Sequence, residues 1–186
     1  MGEQRGGHIR PSSVIVSYAG DVKLGGFALH KLSIARRSLD VGRNSDYSYF
    51  SPEQCRGHVI DHQTDVYSLG VVLYELLATT APFTDRSSDF ETMKAIVEGS
   101  VRPPSQLRED LPPELERIVL EALLPRDRRL PSATALIDAL DRIAQSHELR
   151  ASALDIARYL TVLTDAGHPY RGGIGSTKRP DPRRDD

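Results

Sequence analysis

Apolar residues recur at helical rather than strand spacing along most of this chain. Val66, Leu69, Val71, Val72, Leu73, Leu76 and Leu77 lie nearly all round one predicted helix. A helix apolar on most faces belongs inside a core, so this one is expected to be buried. Thr64 or Asp65 is read as its cap, and it is expected to run to about Leu77, with Ala81-Pro82 ending it. A second helix is predicted over 90–98, with Phe90, Met93, Ile96 and Val97 on its inner face and Gly99 as its stop. A third opens at Pro113 and carries Leu115, Ile118, Val119, Ala122 and Leu123. A fourth is capped by Ser132 and carries Leu136, Ile137, Leu140 and Ile143. In a fifth, Ser152 and Asp155 form a variant capping box ahead of Ala153, Ile156, Ala157, Leu160 and Leu163.

Upstream the pattern differs. Val14-Ile15-Val16 and Val22-Lys23-Leu24 are short β-rich runs, and Tyr18-Ala19-Gly20-Asp21 between them carries turn residues, which predicts a hairpin. Residues 28–48 are polar and irregular and read as a long loop. Residues 167–186 hold few apolar groups and read as a disordered tail. The predicted fold class is therefore mainly α with a small β-hairpin.

Composition narrows the function classes. At 186 residues and 39% apolar, the chain suits one globular domain. With 24 basic and 26 acidic residues the formal net charge is -2, so neither a nucleic-acid nor a membrane partner is expected. A lone Cys55 precludes an internal disulfide and fits a reducing compartment. The opening MGEQRGGHIRPSS lacks the apolar run of a signal peptide, and the longest apolar stretch is interrupted by Tyr74 and Glu75. A cytoplasmic location is expected. His58 and His62, near Cys55 and Asp61, match no metal-ligand spacing and read as polar loop residues.

Four stretches in order resemble the serine/threonine protein kinase family, in the wording of its bacterial members. His8-Ile9-Arg10-Pro11-Ser12-Ser13-Val14-Ile15-Val16 looks like the catalytic loop and the strand after it. Val22-Lys23-Leu24-Gly25-Gly26-Phe27-Ala28 looks like the strand and metal-binding turn that open the activation loop. Tyr49-Phe50-Ser51-Pro52-Glu53-Gln54, followed by the run Asp65 to Leu77, looks like the end of that loop and the buried helix behind it. Asp127-Arg128-Arg129-Leu130-Pro131-Ser132-Ala133 completes the set. Four such motifs at sensible spacing are a strong signal. The resemblance implies two structural roles: Glu53 pairs with Arg129, and Asp65 holds the catalytic-loop backbone. It also implies a kinase-like large lobe over 6–147, with 1–5 as a remnant, an added helix at 148–166 and the tail beyond. On this reading the small lobe and the helix before the catalytic loop are lacking.

The resemblance further implies that the chemistry is degenerate. Phosphoryl transfer rests on positioning and on neutralising charge through bound magnesium. The position of the catalytic aspartate is held by His8, and Gly6 and Gly7 stand where the preceding histidine and arginine would be. Ser13 replaces the metal-binding asparagine, and Arg10 the phosphate-side lysine, keeping its charge but not its shape. Gly26 replaces the principal metal-binding aspartate, leaving no side-chain oxygen. No cofactor is therefore expected, although active relatives use ATP and magnesium. The expected function is an inactive, pseudokinase-like regulatory or scaffolding module. Its expected partner is a protein, either an active kinase or a kinase substrate. The alternative is a truncated or degenerate kinase with weak or no phosphotransfer, arising from a misassigned start site or a decaying gene.

Overall fold

The computed structural model describes residues 9–25, 46–83, 87–149 and 151–165. Within them the chain is mainly helical with one two-stranded antiparallel sheet. Strand β1 (Val14–Val16) pairs with β2 (Val22–Leu24) in the register Val14 to Leu24, Ile15 to Lys23 and Val16 to Val22. Six α-helices follow: α1 (Pro52–Cys55), α2 (His62–Ala78), α3 (Asp89–Glu98), α4 (Pro113–Ala122), α5 (Ala133–Ser146) and α6 (Ala153–Asp165). Short 3-10 turns occupy Pro11–Ser13, Asp46–Tyr49 and Pro104–Gln106. The last residues of the predicted 28–48 loop thus wind into a helical turn; residues 26–45, and the predicted tail at 167–186, lie outside the described residues.

The chain divides into two compact units, one holding β1, β2 and α1–α5, the other holding the turn at 17–21 and α6. In the first unit α2 is central. On one side Tyr67, Val71 and Tyr74 pack with Phe83, Ala95, Ile96, Val119 and Leu123. On the other, Leu69 and Leu73 meet a cluster of Ile118, Leu136, Ala139 and Ile143. Close approach of α4 depends on Gly70, where a Cβ would sit 2.8 Å from the Ala122 Cβ. Tyr74 donates from its hydroxyl to the Arg102 carbonyl at 2.7 Å, and Tyr49 to Glu75 Oε2 at 2.8 Å, fixing both flanking segments to α2.

Several boundaries and faces differ from the sequence reading. Helix α2 begins at His62, not near Asp65, because Asp61 caps it by accepting the Gln63 N–H at 3.0 Å. Thr64, one of the two expected caps, is buried inside the helix and directs its hydroxyl to Glu53 instead. The helix ends at Ala78, in agreement with the expected end near Leu77, with Thr79 left-handed at φ 59°. Leu76 on α2 is 70% exposed, so burial does not extend all round. Helix α3 buries Thr92, Ala95 and Ile96. At about 100° per residue Phe90 falls nearly opposite that face, and it is exposed. Helix α5 buries Ala139 and leaves Ile137 exposed. The stop expected at Gly99, the start at Pro113 and the cap at Ser132 occur as read.

In the second unit, the turn closes with the Gly20 N–H on the Ser17 carbonyl at 2.9 Å. Gly20 there adopts φ 87°, which a side chain would strain. In α6, the Ser152 N–H donates to Asp155 Oδ2 at 2.9 Å and the Asp155 N–H to Ser152 Oγ at 3.3 Å, a reciprocal capping box.

Candidate functional site

Two places in the first unit carry the sequence-predicted residues. One is the end of the hairpin. Ser13 donates its N–H to the Arg10 carbonyl at 2.8 Å, and its own carbonyl accepts the Gly25 N–H at 2.8 Å. That bond sets Ser13 beside the residue before Gly26. Arg10 and Ser13 are half-buried. His8 and Gly26 themselves lie outside the described residues.

The other is a buried ion pair below α2. Helix α1 is a single turn, too short to persist without fixed ends. Its N-terminus is held by a capping box: the Gln54 N–H donates to Ser51 Oγ at 3.3 Å and the Ser51 N–H to Gln54 Oε1 at 2.9 Å. This turn points Glu53 inward, where it is only 5% exposed. Arg129 meets it with Nη1 to Oε1 at 2.7 Å and Nη2 to Oε2 at 3.0 Å, the parallel fork that guanidinium and carboxylate geometry favours. The same guanidinium donates to the Gln63 carbonyl at 2.7 Å and the Leu124 carbonyl at 3.0 Å. It also lies over the Tyr67 ring, 4.9 Å from the centroid. Thr64 donates a further hydrogen bond to Glu53 Oε1 at 3.1 Å. Burial alone would raise the Glu53 pKa, but the bonds from Arg129 and Thr64 and the Arg129 charge pull it down to about 2. The pair therefore ties α1, the start of α2 and the 124–129 loop into one knot.

Asp65 lies in the first turn of α2, half-buried. Sequence reasoning missed the parts played by Tyr67, Thr64 and Asp61. Asp61 also ion-pairs with Arg126. Only Asp61 left a local signal, a cap residue just before the helix. The Tyr67 and Thr64 contacts depend on tertiary approach. Among the described residues no group of three or more His, Cys, Asp or Glu is placed to hold a metal ion, and no helix is long and apolar enough to cross a membrane.

A bidentate buried Glu–Arg pair behind a long central helix, preceded by a two-stranded hairpin, is the arrangement the resemblance implied. A profile of the protein kinase domain matches residues 8–157. The chain belongs to the protein kinase domain family, in its bacterial, eukaryotic-type serine/threonine branch. It is 37% identical to the tyrosine-protein kinase MasK of Myxococcus xanthus over 155 residues, covering 82% of this chain and 24% of that protein. It is 32% identical to the serine/threonine-protein kinase PknB of Mycolicibacterium smegmatis over 184 residues, covering 94% of this chain and 28% of that protein. The chain thus spans about a quarter of the length of these curated relatives.

Proposed function

We propose that this chain is a catalytically inactive, pseudokinase-like large lobe that works in the cytoplasm as a regulatory or scaffolding binding module. Its partner would be an active kinase or a kinase substrate. The observation that carries this reading is the Gly25 to Ser13 backbone bond at 2.8 Å. It pairs Ser13, at one of the positions matching the family's magnesium ligands, with Gly25, and the next residue in sequence, Gly26, stands at the other. A hydroxyl and a hydrogen atom replace an amide oxygen and a carboxylate. Magnesium favours anionic oxygen ligands, so the phosphates of ATP lose their anchor. His8, at the position of the catalytic aspartate, has no anionic oxygen to orient a substrate hydroxyl. By contrast the Glu53–Arg129 knot, which serves architecture, is complete.

The test is thermal unfolding with and without millimolar ATP and magnesium, together with transfer of labelled phosphate to a generic protein substrate. No shift in midpoint and no label are expected. A magnesium-dependent upward shift with labelling of the substrate would overturn the reading in favour of a degenerate but active kinase.

A further inference from the structure

Helix α6 differs from the five before it. Each of those buries residues of its own, Pro52 and Glu53 in α1 and Ile118, Val119 and Ala122 in α4 among them. None of residues 153–164 is buried. Ile156, Ala157, Leu160 and Leu163 are half-buried, and at about 100° per residue they fall within one arc. Leu154, Tyr159 and Val162 are exposed and lie outside it. An element with so little burial sits at the low end of local stability. Left alone, a helix of 13 residues is marginal in water.

The first residue of α6 meets a fixed seat. Within the second unit, the turn at 17–21 touches the helix at Ala153. A Cβ on Gly20 would overlap the Ala153 carbonyl oxygen and stand 2.5 Å from its carbon and 2.9 Å from its Cα. All three are backbone atoms, which cannot swing aside as the end of a side chain can. Gly20 is buried there, although Tyr18, Ala19 and Asp21 around it are exposed. The seat is firm: the Ser17 N–H donates to the Asp21 carbonyl at 2.9 Å, and the Asp21 N–H to Ser17 Oγ at 3.0 Å. Glycine at position 20 thus meets two demands at once, a left-handed backbone and a contact with no room for a side chain.

We propose that α6 is a latch, a separately releasable helix fastened to the β1–β2 turn through the Gly20–Ala153 contact. Losing that contact frees the helix as a unit and exposes the arc of Ile156, Ala157, Leu160 and Leu163, while the first unit keeps its fold. The device is conformational: the backbone of the turn decides whether the 153–165 segment is held or free. It is independent of whether the chain binds nucleotide.

The experiment digests the full chain with trypsin under native conditions and follows cleavage after Arg158 in α6 and after Arg142 in α5 by mass spectrometry. Both arginines are exposed in the folded chain, so cleavage reports the opening of the helix that carries each. Gly20→Ala is expected to raise the rate after Arg158 on the order of tenfold and to leave the rate after Arg142 within about twofold. Gly57→Ala is the control. Gly57 is also left-handed, at φ 68°, but a Cβ there meets nothing within 4 Å, so the backbone strain is kept and the clash is absent. Its Arg158 rate is expected to stay within about twofold of the parent chain. Gly20→Asn introduces the same clash at a residue that tolerates a left-handed backbone, and stands in if Gly20→Ala fails to fold by circular dichroism. Equal Arg158 rates in the Gly20 and Gly57 variants would overturn the proposal. So would a rise after Arg142 that matches the rise after Arg158, or loss of the folded spectrum in both Gly20 variants, since either would make α6 part of the common fold.

Discussion

Replacing Arg129 by Met removes one charge from the centre of the helical base and leaves three acceptors behind. The Glu53 carboxylate loses its fork, and the Gln63 and Leu124 carbonyls lose their donors. Breaking a buried pair in this way costs about 3–5 kcal/mol. The pKa of Glu53 gives an independent figure. It falls from 4.5 to about 2, and at about 1.4 kcal/mol per unit that displacement corresponds to roughly 3 kcal/mol. Because the folded pKa is depressed, this stability is present in full above about pH 4.5 and is lost as pH falls toward 2. Urea titrations followed by circular dichroism at pH 7 and pH 3 measure both effects. Arg129→Met is expected to lose about 3–5 kcal/mol at pH 7, a large share of the roughly 5–15 kcal/mol typical of a domain. Glu53→Gln keeps the shape but not the charge, and is expected to flatten the acid limb of the stability curve. In the double variant the losses are expected to fall well short of additive, since neither charge is then stranded. A loss below about 1 kcal/mol for Arg129→Met, or an acid limb unchanged in Glu53→Gln, would refute the reasoning.

Three further outcomes follow from single side chains. The Tyr67 hydroxyl is fully buried without a hydrogen-bond partner among the described residues, so Tyr67→Phe is expected to be neutral or to stabilise by up to about 1 kcal/mol in urea, and a loss of stability would show a hidden partner. Gly70→Ala would gain about 1 kcal/mol of helix propensity in open space, but its Cβ meets the Ala122 Cβ at 2.8 Å. Overpacking of about 1–3 kcal/mol should outweigh that gain, lower the thermal midpoint and be relieved by Ala122→Gly; a raised midpoint would contradict the packing. Burial pushes the Cys55 thiol from 9.0 up to about 11, which lowers the thiolate fraction at pH 8 about a hundredfold. Ellman's reagent at pH 8 is expected to react correspondingly more slowly with folded than with urea-unfolded protein, and rates within about threefold of each other would contradict it.

Five of the six helices were legible because each repeats its apolar residues over several turns and carries its own start, stop or cap, whereas α1 is a single turn with no period to read. Gly99, Pro113, Ser132 and the Ser152–Asp155 box each act within one turn, so local pattern sufficed. The start of α2 was misplaced because its first buried apolar residue, Val66, lies well inside the helix, while Asp61 caps a polar first turn. The exposed Phe90, Leu76 and Ile137 show a different limit. Periodicity marks an apolar arc, but the neighbours decide which part of it is covered, and α3 is covered along Thr92, Ala95 and Ile96. The Glu53–Arg129 pair joins residues 76 positions apart, a separation no local pattern reveals. It was found only through resemblance, and its Tyr67 and Thr64 contacts were not found at all.

The groups that hold this lobe together and the groups that a kinase would use for chemistry are different residues on different elements. The knot draws on α1, α2 and the 124–129 loop, and its charges are satisfied by one another and by backbone carbonyls. The hairpin end contributes backbone pairing, the Gly25 N–H donating to the Ser13 carbonyl at 2.8 Å. None of the knot's bonds involves a residue of the hairpin end. Replacing Glu53 or Arg129 would strand a buried charge. The knot is thus separate from the positions that match the family's magnesium ligands, and the two are independently measurable: Arg129→Met should lower stability in urea, whereas Ser13→Asn should restore no ATP-dependent shift, because Gly26 still offers no side-chain oxygen.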